Sequence, residues 1–254
     1  MPADAGIFVL LLVAFAVVAG TLLQRVSGMG AGLVVSPTLV LLIGPVGGVL
    51  LTNLTTIVSA ALIAVAVRRD IEWGRYLQVA PLIVVGSVPG ALLVGAADRG
   101  WLEIGIGGLL LISITLTAFV RIPPVGGPVP ASAAGAIGGF LNTTVGVAAP
   151  AMLLYAQATS WSQRSFAATL QPIFCTMGLI SVAAKVSLGS TSTSGLPPPT
   201  VIATVVAMVP VGILIGGQLA ERVSSAAARR VAVIVVTVGA TITLMRGILS
   251  VAGA

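Results

Sequence analysis

Amides and hydroxyls set in apolar sequence are the residues here with chemistry to offer. Asn53 stands among Thr52, Thr55 and Thr56 in one apolar run, and Gln171 stands near Thr169 and Cys175 in another. Asn142, Thr143 and Thr144 lead into Gly146, and Arg25 and Ser27 lead into Gly28, Met29, Gly30 and Gly32. Polar groups in an apolar medium need partners. These amides and hydroxyls either take a substrate oxygen or tie helices together; the matched placing of Asn53 and Gln171 favours the first role for those two. Glycine-rich breaks expose helix N-termini, whose free N–H groups and partial positive charge attract anions. The same glycines also allow close helix packing. Arg25 suits either the balancing of an anion or snorkelling to the membrane interface. The candidate substrate-binding set is Arg25, Ser27, Gly28, Met29, Gly30, Gly32, Thr52, Asn53, Thr56, Asn142, Thr143, Thr144, Gly146 and Gln171. Gly86 with Gly90, and Gly212 with Gly216, read instead as packing positions, as do Ser59 and Ser113.

Other chemistries find little support. The chain has no histidine and one cysteine, Cys175, which reads as a small packing residue. The usual zinc and haem ligand sets are missing, and no metal or cofactor is expected. No P-loop pattern is present, and no nucleophile stands with a histidine base. The acids Asp4, Asp70, Glu72, Asp98, Glu103 and Glu221 fall at borders or in loops. A proton relay normally uses buried acids or histidines; Glu103, near the start of a span, comes closest. Lys185 and Arg246 lie near span ends, where snorkelling is the expectation.

The elements that must position these residues are membrane helices. Hydrophobic residues make up 57% of the 254 and charged residues 7%, against about 25% charged in a soluble domain. The apolar runs do not alternate, and several reach the roughly 20 residues that cross a bilayer as a helix. The run from Gly6 has no basic residue before it and reads as a first membrane segment rather than a cleaved signal. The net charge of +6 comes from arginines in short loops, which set topology; nucleic acid is not an expected partner.

Runs at 6–24 and 31–43 flank the first break, QRVSGMG, and spans follow at 48–67, 76–97 and 101–120. The proline-rich stretch 122–130 reads as a linker. Runs at 131–141 and 148–158 then flank a break NTTVGV, with spans at 165–188, 200–220 and 228–250. An offset of 118 positions carries Gly28 onto Gly146, Gln24 onto Asn142 and Asn53 onto Gln171. The basic loops swap places between halves. Arg68, Arg69 and Arg75 follow one span whose counterpart loop, 189–199, is uncharged. Arg222, Arg229 and Arg230 follow another whose counterpart has Arg99 alone as a base. The positive-inside rule then makes the halves inverted repeats with the basic loops in the cytoplasm and both termini outside. The expected fold is an all-α polytopic membrane protein. Residues 1–121 and 131–254 form two inverted repeats, each a broken, V-shaped helix pair followed by three transmembrane helices. Short, Gly-interrupted segments at matching places point to a transporter site.

The stretches SGMGAGLVVSP, LTNLTTIVSAALIAVAVRRDIEW, GGFLNTTVGVAAP and GILIGGQLAERV resemble the TauE/SafE family of sulfite exporters and anion permeases. The resemblance runs from about Gly6 to Arg246. The family's glycine-rich sequence before a proline falls on Gly28, Gly30, Gly32 and Pro37; in the second copy Gly146 and Pro150 match, while Ala148 and Ala149 replace glycines. The resemblance implies export of sulfite or small organosulfonates such as sulfoacetate across the bacterial plasma membrane, and a homodimer. A channel for anions or small solutes, or a non-catalytic membrane scaffold, is the alternative expectation.

Overall fold

The computed structural model describes residues 3–120, 123–125, 128–191, 197–220 and 222–253; Arg121, Glu221 and the middle of the 189–199 loop lie outside them. Every regular element among the described residues is helical. The helices are α1 (Ala3–Ser27), α2 (Ala31–Ile43), α3 (Pro45–Val67), α4 (Trp73–Ala96), α5 (Arg99–Phe119), α6 (Val129–Val145), α7 (Ala149–Ala158), α8 (Gln163–Ser187), α9 (Pro199–Leu219) and α10 (Ser225–Ala252). A single 3-10 turn, Arg68–Asp70, follows α3.

Among the described residues, seven helices are long and apolar enough to cross a membrane: α1, α3, α4, α5, α8, α9 and α10. The others are short. At about 1.5 Å per residue, the 13 residues of α2 and the 10 of α7 reach only about 20 and 15 Å, against a hydrocarbon core of about 30 Å. The two pairs are unequal: α1, at 25 residues, is long enough to span, whereas α6 has 17.

The breaks are narrower than the sequence suggests. α1 continues through Gln24–Ser27, and α6 continues through Asn142–Val145. Asn142, Thr143 and Thr144 thus belong to the last turn of α6 rather than to the break. Helix persists because each peptide group in a membrane must pair locally. It stops where glycine permits a left-handed residue: Gly146 has φ 75° and its N–H returns to the Asn142 carbonyl. α6 begins at Val129, inside the stretch expected as linker. Before it, the Val125 N–H donates to the Ala158 carbonyl.

Ser162 and Ser224 cap α8 and α10 by accepting from Ser165 and Ala227 N–H groups. Prolines open α3, α6, α7 and α9, where the missing N–H leaves nothing unpaired.

α3 and α8 pack against each other at the centre and are the most enclosed of the spanning helices. The outer contacts come in matched sets: α1 with α9 and α6 with α4; α2 with α10 and α7 with α5; α3 with α9 and α8 with α4. Small residues bring the backbones together, as membrane packing requires. A Cβ on Gly86 would overlap the Ala136 carbonyl of α6, and one on Gly212 would overlap Thr21 of α1. Gly90 and Gly216 likewise meet Thr143 and Arg25 at 3.1 and 2.9 Å. These four glycines are packing positions, as their sequence suggests.

The distribution of polarity is that of a protein in lipid. Phe8, Phe15, Trp101, Phe119, Leu214 and Leu249 face outward, while Gln24, Asn53, Asn142, Gln171 and many hydroxyls lie inside. Most buried threonines satisfy themselves within their own helix. Thr52, Thr55, Thr56 and Thr144 each donate to the carbonyl one turn back.

Two cations depart from the snorkelling expectation. Arg246 folds back to donate to the Leu41 carbonyl at 3.0 Å and pairs with Glu103 at 3.1 Å. Glu103 also pairs with Arg99 and is 2% exposed. Lys185 has no exposed surface at all. Arg246 is held by these two partners while still partly exposed, whereas Lys185 is enclosed on all sides.

Candidate functional site

The two breaks meet. The first is built on Gly28 and Gly30, with φ of 81° and 154°, conformations that L side chains rarely adopt. The Gly28 N–H closes α1 on the Gln24 carbonyl, and Ser27 donates to the Leu23 and Met29 carbonyls, so the turn holds itself together. α2 then starts, its first intrahelical bond running from Val34 N–H to Gly30 O. The second break, Gly146 to Ala148, leads into α7, whose first such bond is Met152 N–H to Ala148 O. Gly32 lies directly on the second break, with its missing Cβ 2.6 Å from the Gly146 oxygen. Ser36 ties α2 to the same break by donating to the Val145 carbonyl.

A small cavity of about 20 Å³ lies where they meet, lined by Gln24, Gly30–Leu33, Thr56, Asn142, Gly146–Ala149 and Phe174. First-turn N–H groups of α2 and α7 edge it, so two helix N-termini contribute partial positive charge to one spot. Its described lining contains no acidic side chain. The volume accommodates little more than one water.

Four amides brace this spot in a crosswise pattern. The Gln24 amide N–H donates to the Gln171 oxygen at 2.9 Å, and the Asn142 amide N–H donates to the Asn53 oxygen at 2.9 Å. Each pair joins the helix before one break to a central helix of the other half. A serine extends each pair: Ser59 donates to the Gln24 oxygen at 2.7 Å, and Asn53 donates to Ser181 at 2.8 Å. Gln171 also donates to the Gly28 and Ala167 carbonyls, at 3.0 and 2.9 Å. Buried amides satisfied at both ends fix their helices in register.

On the far side of the Gln24–Gln171 pair a cleft of about 210 Å³ opens, lined by Arg25, Ser27, Gly28, Asp70, Gln163, Arg164 and Gln171 among others. Arg164 pairs with Asp70 at 3.1 Å, while Arg25 is half-buried in the cleft wall. Gln24 lines both cleft and cavity, so the glutamine pair is the partition between them.

The comparisons fit this geometry. A sequence model of the sulfite exporter TauE/SafE family matches residues 12–243. The chain belongs to the sulfite exporter TauE/SafE family. It is therefore a multi-pass membrane transporter of that family, whose members handle small anions. No curated protein and no solved structure matches the chain.

In this TauE/SafE chain the structure distributes the fourteen candidates over several places. Gly30, Gly32, Thr56, Asn142 and Gly146 line the cavity. Asn53 and Gln171 stand behind it in the amide pairs. Arg25, Ser27 and Gly28 line the cleft. Thr52 and Thr144 are spent on their own helices, although the Thr52 methyl packs against Gly146. Met29 is buried beside a separate apolar pocket with Leu33 and Leu153. Thr143 packs against Gly90 of α4, its hydroxyl without a partner.

Gln24, Ser59, Ser181 and Phe174 are missing from the candidate set. Gln24 carries a signal, since the repeat offset places it on Asn142. Ser59, read as a packing residue, bonds Gln24 instead. Ser181 and Phe174 carry no signal in the sequence alone.

Proposed function

We propose that this chain exports a small sulfur oxyanion, sulfite or an organosulfonate such as sulfoacetate, across the bacterial plasma membrane by alternating access, without a catalytic step. The observation that carries this reading is the meeting of two helix N-termini around one amide-edged cavity. Backbone N–H groups at Gly30–Leu33 and Ala148–Ala149, with the amides of Gln24 and Asn142, suit a compact oxyanion and need neither metal nor acid. Membership of the sulfite exporter TauE/SafE family supports the sulfur oxyanion as substrate.

The crosswise amide pairs and matched helix contacts support reading the halves as inverted repeats. With basic loops in the cytoplasm, the cleft beside Arg25 and Arg164 faces inward and receives the anion. The Gln24–Gln171 pair is then the inner partition. The cavity is too small for sulfite as it stands, so it represents a closed state that must widen to load. An open, permanently wide anion channel is disfavoured by the same closure.

The test is uptake of radiolabelled sulfite and sulfoacetate into proteoliposomes holding the folded protein. Saturable flux, absent from protein-free vesicles, is the expected result. No flux of either anion would overturn the substrate assignment, and flux that never saturates would favour a channel.

A further inference from the structure

Lys185 is a fully buried cation with no hydrogen-bond partner for its ammonium group. Among the described residues it forms no ion pair: Glu103 is taken by Arg99 and Arg246, Glu72 by Arg75, and Asp70 by Arg164. An unpaired charge inside a membrane protein costs several kcal/mol unless an anion visits it, and such residues mark ion and substrate pathways.

Its position relates it to the site. Lys185 lies one helical turn beyond Ser181, the hydroxyl that accepts from Asn53. It lies two turns beyond Gly178, which packs on the Asn53 carbonyl and Ile57, so it shares the face of α8 turned toward α3. A polar thread therefore runs from the cavity wall at Asn142, through Asn53, to Ser181, one helical turn short of Lys185. The offset of 118 puts Val67 opposite Lys185 in the first half. The charge thus breaks the symmetry of the two halves, as a directional pathway requires.

We propose that Lys185, with the hydroxyl of Ser181, forms a second anion station between the hairpin cavity and the membrane face opposite the basic cleft. It takes the same class of ligand, a small oxyanion leaving the cavity. This rests on the anion-export reading. The ammonium draws the anion off the helix N-termini, and the short polar thread lowers the barrier between the two positions. The cavity then holds the ion by dipoles, and the station holds it by a full charge.

The test compares wild-type, Lys185→Gln, Lys185→Met and Lys185→Arg proteins in proteoliposomes, with sulfite and sulfoacetate as probes and thermal stability measured in parallel. Lys185→Gln and Lys185→Met are expected to lower flux by about tenfold or more, the size of a lost charge-assisted hydrogen bond. Lys185→Arg is expected to restore most of it. The loss should be greater for the dianion sulfoacetate than for singly charged methanesulfonate, run as a third probe, which a purely structural lysine would not produce. Should the neutral variants fail to fold, Ser181→Ala leaves the charge in place and should raise KM for both anions. Wild-type flux in Lys185→Gln, or an unchanged KM in the hydroxyl variant, would overturn the station while leaving anion export standing. Absence of anion flux in the wild-type protein would remove the export reading and the station with it.

Discussion

Asn53 uses both ends of its amide on other helices, accepting from Asn142 and donating to Ser181. Gln171 does the same between Gln24 and the Gly28 and Ala167 carbonyls. Removing either side chain strands buried groups on the hairpin helix it serves, at a cost of about 1–3 kcal/mol for each buried group left unsatisfied. Asn53→Ala and Gln171→Ala are therefore expected to cut anion flux by about tenfold, since the cavity wall loses its brace and 1.4 kcal/mol corresponds to one decade. Both should still reach the membrane folded, with a lowered Tm. Flux assays on purified variants, set against their melting curves, check this; wild-type flux in both would remove the amides from the site. At this scale the sequence is legible in part. An amide in an apolar run announces a buried polar contact, and the repeat offset pairs Gln24 with Asn142. Which amide bonds which is a tertiary fact. So is the burial of Lys185: two residues from the end of α8, it has the reach to snorkel, and only tertiary packing leaves it with no exposed surface.

At the scale of elements, the hairpins depend on loops that hold their helices at the basic side. Glu72, just before α4, accepts from the Trp161 indole N–H and from Arg75, both at 2.9 Å. Arg75 also lies over the Trp161 ring at 4.6 Å and donates to Thr159. This cluster joins the loop after α3 to the loop between α7 and α8. The Ser165 hydroxyl, the Trp161 N–H and the Arg75 charge hold the Glu72 carboxyl below its ordinary range. A depressed folded pKa means that the clamp is fully present above the unfolded value near 4.5 and is lost as pH falls through the folded value. Acidification should therefore loosen the α7–α8 connection, and Glu72→Gln should flatten the dependence between those two pH values. Trp161 fluorescence and Tm followed from neutral pH into acid measure it; identical acid profiles for wild type and variant would exclude the clamp. None of this was legible in the sequence, where Trp161 and Glu72 are loop residues far apart. The short helices were more readable, because glycine and proline mark where they turn. Their ends were misplaced toward the polar residues, since backbone pairing in lipid prolongs a helix through Asn, Thr and Ser.

The whole molecule shows an apolar exterior around a polar interior, and that much follows directly from composition. Few charges and long apolar runs leave no soluble alternative, and the order of breaks and spans carries the architecture. What composition does not reveal is whether the path is driven. Here the physical argument is one of charge. An anion leaving a negative-inside cell gains about 2.3 kcal/mol per elementary charge per 100 mV. On the proposed reading, a site made of helix N-termini and neutral amides binds the anion without a co-transported ion, and the membrane potential alone then suffices for export. A uniporter with these parts should establish a gradient of about 50-fold per charge at 100 mV, the ratio that this energy sets. Proteoliposomes clamped at two potentials with potassium and valinomycin, loaded with a singly charged sulfonate, measure the end point directly. A gradient that follows potential with one charge per anion fits uniport. A gradient indifferent to potential would require an exchanged or co-transported ion, and Glu103 with its two arginines would then be the first place to look for its binding.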